Sequence, residues 1–384
     1  MINILFIHQS AELYGSDKTL LLLLKHINRT KFFPVVILPN EGPLKIELEK
    51  ENIKVVIAPV LKLYRKMFTP KNIFNFIKDI KKGISTLYKL NEKHHFDIVY
   101  SNTLAVLLGM VFAKKRKIKH LWHVHEIIDH PKIIASIFPK LLLHYSDLVV
   151  CNSFATEKNL IDKVPKLTSK SIVIYNGIEQ NIPVITLGCK ADFGFKETDL
   201  IVTLVGRISR LKGHKLLLDV FTNYLMHYEN IKLLFVGSPV EGQEYYLGEI
   251  KNSIIINELE KRVKIVPFTN NLNAIWSITD IAVMPSTEAE SFGLVAAEAM
   301  LAKTPVIASN LGGLSEIVVN NETGYLFDPK NKLDLFKAIS ELIENPSLRT
   351  EFGENGYERV IKEFSIEKHV KQFEAVFQNL QENF

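Results

Sequence analysis

The chain has 384 residues, of which 47% are hydrophobic and 23% are charged, and it carries a net charge of +5 at pH 7. This composition is ordinary for a globular protein, and the length predicts two domains that can each bury a core. A membrane-spanning helix is excluded because no run of 18 apolar residues occurs.

The N-terminus and the cysteines indicate the compartment. The opening run MINILFIHQS has no basic segment and no small-residue cleavage site, so it is interpreted as a first strand and not as a signal peptide. The two cysteines, Cys151 and Cys189, match no metal or redox spacing. A reduced protein of the cytoplasm is the simplest interpretation.

Charge is distributed unevenly along the chain. Residues 1–180 hold 27 Lys and Arg against 15 Asp and Glu, a net charge of +12, whereas the remainder has a net charge of −7. The first half is therefore expected to attract negative partners, and the second half is not.

In the first half, short β-branched runs alternate with longer amphipathic runs. Strands are predicted at residues 2–8, 33–38, 53–58, 97–101, 119–125, 147–151 and 171–176. Helices are predicted between them at residues 17–27, 43–51, 72–90, 104–115, 133–145 and 154–162. Such alternation predicts an α/β domain with a mostly parallel sheet and helices on both faces.

The second half repeats this scheme after a linker. Strands are predicted at residues 199–206, 231–237, 262–268, 280–285, 304–309 and 323–328. Helices are predicted at residues 214–228, 243–260, 271–278, 293–302, 331–344 and 347–363. The linker is placed at residues 180–195, which lack helical or strand periodicity and include Pro183. Ligands are expected at the carboxyl ends of the strands in both sheets.

The first strand is followed by AELYGSDK at residues 11–18, which opens a helix. Gly15, Ser16 and Asp17 are predicted to cap this helix and to offer a cluster of backbone N–H donors.

A basic amphipathic helix is predicted within residues 62–95, which hold nine Lys and Arg against two acids. Two interpretations remain open. The helix could anchor the protein on anionic lipid, or its apolar face could pack on the sheet while its basic face is solvated. A second basic cluster, KKRKIK at residues 114–119, lies in the same half.

Several polar residues follow the fifth predicted strand, in the run WHVHEIIDH. His123, His125, Glu126, Asp129 and His130 could in principle hold a metal, but no third ligand has a clear spacing. One active-site histidine is the preferred interpretation. No Asp-x-Asp occurs in the chain, so nothing indicates a metal ion held by paired aspartates against a nucleotide diphosphate.

The run LVGRISRLKGHK at residues 204–215 leaves a strand and enters a helix. Gly206 allows a tight turn, and Arg207 and Lys212 place two cations at the carboxyl end of the strand. Two cations beside a helix N-terminus suit a diphosphate, although two solvated cations on a loop would give the same pattern. The chain has neither a Walker A loop nor a G-x-G-x-x-G after a strand, which argues against a dinucleotide-dependent dehydrogenase.

Two acids flank a predicted helix start in the run STEAESFGLVAAEAM. Glu290 precedes the start near Gly293, where free backbone N–H groups of Gly293, Leu294 and Val295 would bind an anion. Glu298 is predicted to share the apolar stripe of the helix, where a carboxylate needs a partner such as a ribose diol. The alternative is a capping acid at Glu290 and a surface residue at Glu298.

A pair of glycines, Gly312 and Gly313, follows the next strand in ASNLGGLSEIV. Glycines at this sheet edge would let a ligand approach the backbone closely, or they could form nothing more than a turn.

Together and in this order, these runs resemble the family 4 glycosyltransferases, which are retaining enzymes of the GT-B fold. GRISRLKGH is similar to the diphosphate-binding segment of that family, and PSTEAESFGLVAAEAM is similar to its E-x7-E signature, with Glu290 and Glu298 as the two acids. TPVIASNLGGLSEIV, NETGYLF and VIYNGIE also match. The resemblance covers essentially the whole chain and is strongest from residue 199 to residue 330.

The resemblance implies two Rossmann-like domains that face each other across a cleft. The first, residues 1–180, would lie on the acceptor side, with residues 365–384 packing back onto it. The second, residues 181–364, would include the linker and bind the sugar nucleotide.

The resemblance also implies roles in the second domain. Arg207 and Lys212 would hold the diphosphate and stabilise the leaving group in place of a metal, so no metal or other cofactor is expected. Glu298 would bind the ribose hydroxyls, and Glu290 would hold the donor sugar. Further donor-binding residues are expected at Gly206, Phe268, Phe292, Gly293, Leu294 and Val295.

In the first domain, His125 matches a histidine that faces the donor sugar in such enzymes. Gly15 matches a glycine of the N-terminal loop near the phosphates and the acceptor, with Ser16 beside it. Many relatives have Gly-Gly at this point, whereas this chain has Tyr14–Gly15. Same-face attack is the expected route, with the departing phosphate helping to deprotonate the acceptor, and Glu290 is a poor candidate for a covalent nucleophile.

The expected function is a metal-independent, retaining glycosyltransferase that moves a sugar from a nucleotide-sugar to a glycan or lipid-linked acceptor in cell-surface polysaccharide synthesis. We expect it in the cytoplasm, bound peripherally to the anionic inner face of the membrane through its basic half. No nucleic-acid partner is expected, because no recognition motif occurs. Two alternatives stay open, a nucleotide-sugar epimerase of the same fold and a non-catalytic sugar-binding protein.

Overall fold

The computed structural model describes residues 1–60, 70–180, 188–240, 242–269 and 271–382, with the backbone alone for residues 70–77. The chain divides into two compact units, one of Met1–Gly177 with Ser365–Phe384 and one of Ile178–Phe364. The predicted linker begins just after the first unit, and its residues 181–187 lie outside the described part of the chain.

The first unit contains a seven-stranded parallel sheet in the order β3-β2-β1-β4-β5-β6-β7. Its strands are β1 Ile2–His8, β2 Phe32–Leu38, β3 Lys54–Ile57, β4 Ile98–Asn102, β5 Lys119–Val124, β6 Leu148–Cys151 and β7 Ser171–Val173. Its helices are α1 Gly15–His26, α2 Pro43–Lys50, α3 Pro70–His94, α4 Leu108–Arg116, α5 Lys132–Tyr145, α6 Phe154–Ile161 and, from the C-terminus, α14 Ile366–Glu382. The strand order reverses between β1 and β4, which makes that point the topological switch of the sheet.

Alternating side chains of the central strands build a core on each face of this sheet. Ile4 and Phe6 of β1 pack in one core together with residues of α1, α2 and α14. Leu5 and Ile7 pack in the other core, which includes residues of α3 and α4. In α14, Phe377 contacts Phe6 edge to face, with ring centroids 6.1 Å apart, so the C-terminal helix is part of the first unit's core.

The second unit contains a six-stranded parallel sheet in the order β10-β9-β8-β11-β12-β13. Its strands are β8 Leu200–Val205, β9 Ile231–Val236, β10 Val263–Val266, β11 Ile281–Met284, β12 Val306–Ser309 and β13 Gly324–Phe327. Its helices are α7 His214–Val220, α8 Tyr245–Ile256, α9 Leu272–Trp276, α10 Leu294–Leu301, α11 Leu314–Ile317, α12 Lys332–Glu344 and α13 Pro346–Glu363. Here the switch point lies between β8 and β11.

The predicted α/β class is confirmed, and each predicted strand is present. Each predicted helix differs from the observed one by at least one residue at one end, and three of these differences have a local cause. The helix expected from residue 104 begins at Leu108, because Thr103 has a left-handed φ of +81° and the chain turns there. The helix expected over 214–228 is α7 followed by a π-helical turn at Phe221–Leu225, and the one expected over 243–260 is α8, which ends before the left-handed residue Glu258. No described helix combines the length and hydropathy that crossing a membrane requires.

Two helical glycines give a matched test of this packing. A Cβ on Gly109 of α4 would lie 2.2 Å from Ser101 Oγ, which is held by His120 Nε2 at 2.9 Å. We expect Gly109→Ala to lower the free energy of unfolding by about 1–3 kcal/mol through overpacking. Gly248 of α8 has open space around it. Gly248→Ala should raise the free energy of unfolding by about 0.5–1 kcal/mol. Urea denaturation of both variants checks this, and an unchanged stability of Gly109→Ala would contradict the close approach of α4 to β4.

Candidate functional site

The residues predicted to bind a diphosphate lie at the switch point of the second sheet. Lys212 follows β8, and Glu290 follows the neighbouring strand β11. Lys212 Nζ lies 2.8 Å from Glu290 Oε1, and 25% of the lysine side chain and 19% of the glutamate side chain are exposed. This ion pair between the two loops was not predicted from the sequence.

Glycines set the path of the β8 loop and so the position of Lys212. A Cβ on Gly206 would lie 3.3 Å from Lys212 Cδ, so the lysine stem runs along bare backbone. Gly213 has a φ of +72°, and a Cβ there would lie 1.8 Å from the carbonyl oxygen of Pro285. Thr287 N–H donates to the carbonyl of Leu211 at 2.9 Å, which joins this loop to the loop after β11.

Glu290 is ionised in this setting. Burial alone would raise its pKa, but the charge and hydrogen bond of Lys212, a hydrogen bond from Ser286 Oγ and the charge of Arg207 together hold the pKa of Glu290 below its ordinary value of 4.5. Arg207 itself is exposed. The two cations predicted for this edge therefore act on the same carboxylate.

The glycines after β12 complete the loop around Glu290. Gly313 N–H donates to the carbonyl of Glu290 at 2.7 Å, and a Cβ on Gly313 would lie 2.5 Å from the carbonyl oxygen of Phe292. Gly312 has a φ of +58°, and a Cβ there would lie 2.3 Å from the Glu290 carbonyl oxygen. The close approach predicted for these glycines is made by the protein's own backbone.

Helix α10 begins where the sequence predicted, at Leu294 after Gly293, whose φ is +107°. The cap position is held by Gly293, which has no side chain that could accept a hydrogen bond from the free N–H groups of this end. The Glu290 carboxylate bonds the side chains of Lys212 and Ser286, which favours a place in the site over the alternative of a capping acid. A small pocket at this helix start is lined by Leu204, Val205, Lys212, Met284, Pro285, Ser286, Glu290, Gly293, Val295, Ala296 and Leu314.

The side chains of α10 correct one prediction and refine another. Glu298 was expected on a buried stripe, but it is only partly buried and shares its helix face with the partly buried Leu294 and Val295. Phe292 is buried and packs against Phe364, with ring centroids 5.6 Å apart, so only its backbone is available to a ligand. Phe268, after β10, is 45% exposed.

In the first unit, four buried side chains at the switch point form a hydrogen-bonded row, called the buried network here: Asp17, His8, Asn102 and His125. Asp17 Oδ1 pairs with His8 Nε2. Asn102 Nδ2 lies 2.9 Å from His8 Nδ1, and Asn102 Oδ1 lies 2.8 Å from His125 Nε2. The sequence prediction included His125 but missed His8 and Asn102. Both are polar residues at the carboxyl end of a strand, which is the signal that could have found them.

The loop expected to cap α1 agrees with the prediction in part. Tyr14 occupies the cap position, and Gly15 begins the helix in an exposed position. Asp17 takes part in capping as predicted, because its buried carboxylate accepts the backbone N–H of the cap residue Tyr14 at 2.8 Å. Ser16 offers its carbonyl to Asn102 Nδ2 at 3.4 Å. The predicted loop and the predicted histidine are thus joined through Asn102.

Burial controls protonation around His125. Burial, together with the charges that His8 and His369 would carry, lowers the pKa of His125 to about 3. Its ring lies against His123, with centroids 3.9 Å apart, so both histidines face the same side of the sheet. Burial raises the pKa of Glu126 to about 7, and this carboxyl accepts a hydrogen bond from the backbone N–H of His125 at 3.1 Å. His125 is therefore neutral at physiological pH.

The metal interpretation of the run WHVHEIIDH has no geometric support among the described residues. No three His, Cys, Asp or Glu side chains in that part of the chain are grouped so that they could hold an ion. Asp129 instead pairs with Lys163 and Asn159.

Two family models match the chain. The model described as Glycosyltransferase Family 4 matches residues 15–181, and the model described as Glycosyl transferases group 1 matches residues 189–359. An uncharacterized glycosyltransferase of Methanocaldococcus jannaschii is 30% identical over 339 residues, which cover 87% of each chain.

Two further proteins show how far the similarity extends. An N-acetyl-alpha-D-glucosaminyl L-malate synthase of Bacillus anthracis is 25% identical over 308 residues, which cover 71% of this chain and 78% of the relative. The crystal structure of Anabaena HepE in complex with UDP and glucose has a TM-score of 0.84 at 23% identity, and the match covers 98% of this chain and 100% of HepE. The two chains therefore share one fold.

The ion pair can be tested by titration. Lys212→Met keeps an apolar side chain along Gly206 but removes the charge. The pKa of Glu290 should then rise, because burial raises it and the largest opposing charge is gone. In the wild type, the depressed pKa means that the pair stabilises the fold above pH 4.5 and that this stability is lost as the pH falls through the folded-state value. Carbon-13 NMR of glutamate carboxyls measures the pKa, with Glu290→Gln for assignment. Lys215→Met is the matched control and should leave it unchanged; an unshifted pKa in Lys212→Met would refute the pairing.

Proposed function

This chain belongs to the family 4 glycosyltransferases of the GT-B fold, and we propose that it is a retaining enzyme that moves a sugar from a nucleotide-sugar to a glycan or lipid-linked acceptor. The observation that carries the proposal is the Lys212–Glu290 pair beside the start of α10. A fixed lysine, a second cation and the N–H groups of a helix start together suit a diphosphate that gains charge as it leaves.

The donor would bind along the switch point of the second unit. Arg207 and Lys212 would contact the diphosphate, together with backbone N–H groups at Gly293, Leu294 and Val295. Glu298, partly exposed on the same face of α10, would accept hydrogen bonds from the ribose hydroxyls. The exposed Phe268 and the backbone beside it would contact the base. HepE was crystallised with UDP, so a UDP-sugar is the first donor to test.

Glu290 would hold the donor sugar through hydrogen bonds rather than attack it. Its carboxylate is shared between Lys212 and Ser286, and these bonds reduce the electron density available for a nucleophile. The acceptor hydroxyl would therefore form the new bond to the anomeric carbon on the face from which the phosphate departs. The departing phosphate would take the hydroxyl proton, and the two cations would stabilise the charge that the broken bond leaves on it.

The reaction would need no metal ion. Arg207 and Lys212 would supply the positive charge that a divalent cation supplies in other nucleotide-sugar enzymes. The chain contains no Asp-x-Asp that would indicate a metal-bound diphosphate.

The acceptor would be anionic or attached to an anionic surface, because the first half carries a net charge of +12. In the described part of α3, Ile84 and Leu87 are buried in the core, which favours packing on the sheet for that part of the apolar stripe. The apolar residues of α3 between 70 and 77 have side chains outside the described part. Exposed cations remain on α3 and α4, including Lys81, Lys89 and Lys115.

These cations would bind the protein peripherally to an anionic membrane on the cytoplasmic side, where polysaccharide precursors attached to lipid could be extended. A small carboxylate acceptor is the competing possibility, because the Bacillus anthracis relative is named as an L-malate synthase. Binding to vesicles and acceptor screening distinguish the two.

Removing contacts to the donor tests the function. Lys212→Ala and Glu298→Ala should each lower kcat/KM for transfer by on the order of 100-fold, because each removes a contact to the donor. Transfer is measured as acceptor-dependent release of UDP from UDP-sugars, with the anomer of the product read by proton NMR. The product should keep the donor's configuration, and the reaction should proceed in EDTA.

The matched control for this assay is Lys215→Ala, which removes an exposed lysine of α7 that pairs with Glu249. Its activity should equal that of the wild type. Near-normal turnover in both site variants would refute the donor site, and formation of an epimer without any acceptor would indicate the epimerase instead.

Membrane association is tested with vesicles. The triple variant with Lys81, Lys89 and Lys115 changed to Gln should bind vesicles of anionic phospholipid on the order of 100-fold more weakly, at about 1 kcal/mol per lysine. The control changes three exposed lysines elsewhere in the first unit, Lys50, Lys166 and Lys371, to Gln. Co-sedimentation at low salt measures the difference. Equal loss in both triples, or no wild-type binding, would rule out this surface.

A further inference from the structure

The buried network links α1 to His125 through a row of hydrogen bonds. We propose that Asn102, held by His8 and Asp17, is a positioning residue that fixes the His125 ring with its proton on Nε2 and its Nδ1 free to accept a hydrogen bond from a ligand hydroxyl. The inference rests on the proposed function and on the role that the family resemblance implies for His125, which is to face the donor sugar.

The neighbours of the Asn102 side chain determine which end of its amide is the nitrogen. One end of this amide lies 3.4 Å from the carbonyl oxygen of Ser16 and 2.9 Å from His8 Nδ1. A backbone carbonyl can only accept a hydrogen bond, so the amide nitrogen must lie at this end. The amide oxygen then lies at the other end, 2.8 Å from His125 Nε2.

The histidine tautomers follow from that orientation. An amide oxygen can only accept, so His125 must carry its proton on Nε2. The amide nitrogen donates to His8 Nδ1, so the His8 proton lies on Nε2, where it is donated to Asp17 Oδ1. Each donor in the row thus meets an acceptor, and His125 Nε2 also lies 3.1 Å from His123 Nδ1.

Asp17 anchors the far end of the network. Its second carboxylate oxygen accepts the Tyr14 N–H at 2.8 Å and lies 3.4 Å from Ser10 Oγ. The same carboxylate therefore fixes the loop before α1 and the tautomer of His8. Because the four side chains are at most 8% exposed, water cannot replace these bonds at little cost.

The tautomer determines how the His125 ring can hydrogen-bond to a ligand. Its burial keeps the ring neutral, so with a proton on Nε2 the ring has one remaining lone pair, on Nδ1. That atom accepts a hydroxyl hydrogen, and it cannot donate to a leaving group or to a phosphate. His125 would therefore orient a sugar hydroxyl and would not act as a general acid.

The tautomers can be read directly in the intact protein. Nitrogen-15 NMR of histidine-labelled protein, with long-range coupling to the ring protons, distinguishes an Nε2–H from an Nδ1–H imidazole, and His8→Gln and His125→Gln assign the signals. We expect the Nε2–H form for both residues. A His125 signal of the Nδ1–H form would overturn the proposal, whether or not a sugar donor has been identified.

Variants of Asn102 test the positioning role. Asn102→Leu keeps the volume but removes the acceptor, so the His125 signal should become a mixture of tautomers and kcat should fall at least about tenfold. Asn102→Asp keeps an oxygen beside His125 as the acceptor. His8 would then lie between the Asp17 carboxylate and the new carboxylate at position 102, where it can be protonated on both ring nitrogens. This variant should keep the Nε2–H form of His125 and recover activity relative to Asn102→Leu.

His120→Gln is the matched control, because His120 is an equally buried histidine of β5 that bonds Ser101 and the Tyr145 carbonyl and lies outside the network. It should lower the melting temperature about as much as Asn102→Leu while leaving kcat and the His125 tautomer unchanged. A wild-type tautomer and kcat in Asn102→Leu would overturn the proposal. If no donor is turned over by any form, the NMR arm alone still decides it, and the failure then belongs to the proposed function.

Discussion

The arrangement of functional side chains depends on one topological constraint, the reversal of strand order in each parallel sheet. At the switch point, the loops after two adjacent strands run to opposite faces, and the edge between them is left open for side chains. In the second unit this edge lies between β8 and β11 and holds Lys212 and Glu290. In the first unit it lies between β1 and β4 and holds His8 and Asn102.

The two edges differ in the exposure of their side chains to water. In the second unit, the Lys212–Glu290 pair is partly exposed, so a cation and an anion are held in place while a ligand can still reach them. In the first unit, the hydrogen-bonded side chains are shielded from water, and burial keeps His125 neutral. One edge is suited to the charge of a diphosphate, and the other presents a hydrogen-bond acceptor of fixed direction.

Much of the fold was predictable because parallel strands buried on both faces are short continuous apolar runs, and each of these was found in the sequence. The start of α10 was predictable from the glycine before the helix, whereas a role for Glu290 came from the family resemblance and not from the spacing. The Lys212–Glu290 pair was not, because it joins two loops far apart in sequence and depends on left-handed and close-packed glycines such as Gly213. The exposure of Glu298 was mispredicted because an apolar stripe does not reveal which side of a short helix the sheet covers. His8 and Asn102 were missed because a single polar residue at a strand end has no spacing to recognise.

In the proposed function, the switch point of the second unit binds a nucleoside diphosphate through its phosphates. Calorimetric titration with UDP and with uridine isolates that contribution, since the two ligands share the base and the ribose. UDP should bind about 100-fold more tightly than uridine, and a variant with both Arg207 and Lys212 changed to Ala should lose most of that difference while still binding uridine. Equal affinities for the two ligands in the wild type, or an unchanged difference in the variant, would contradict the claim.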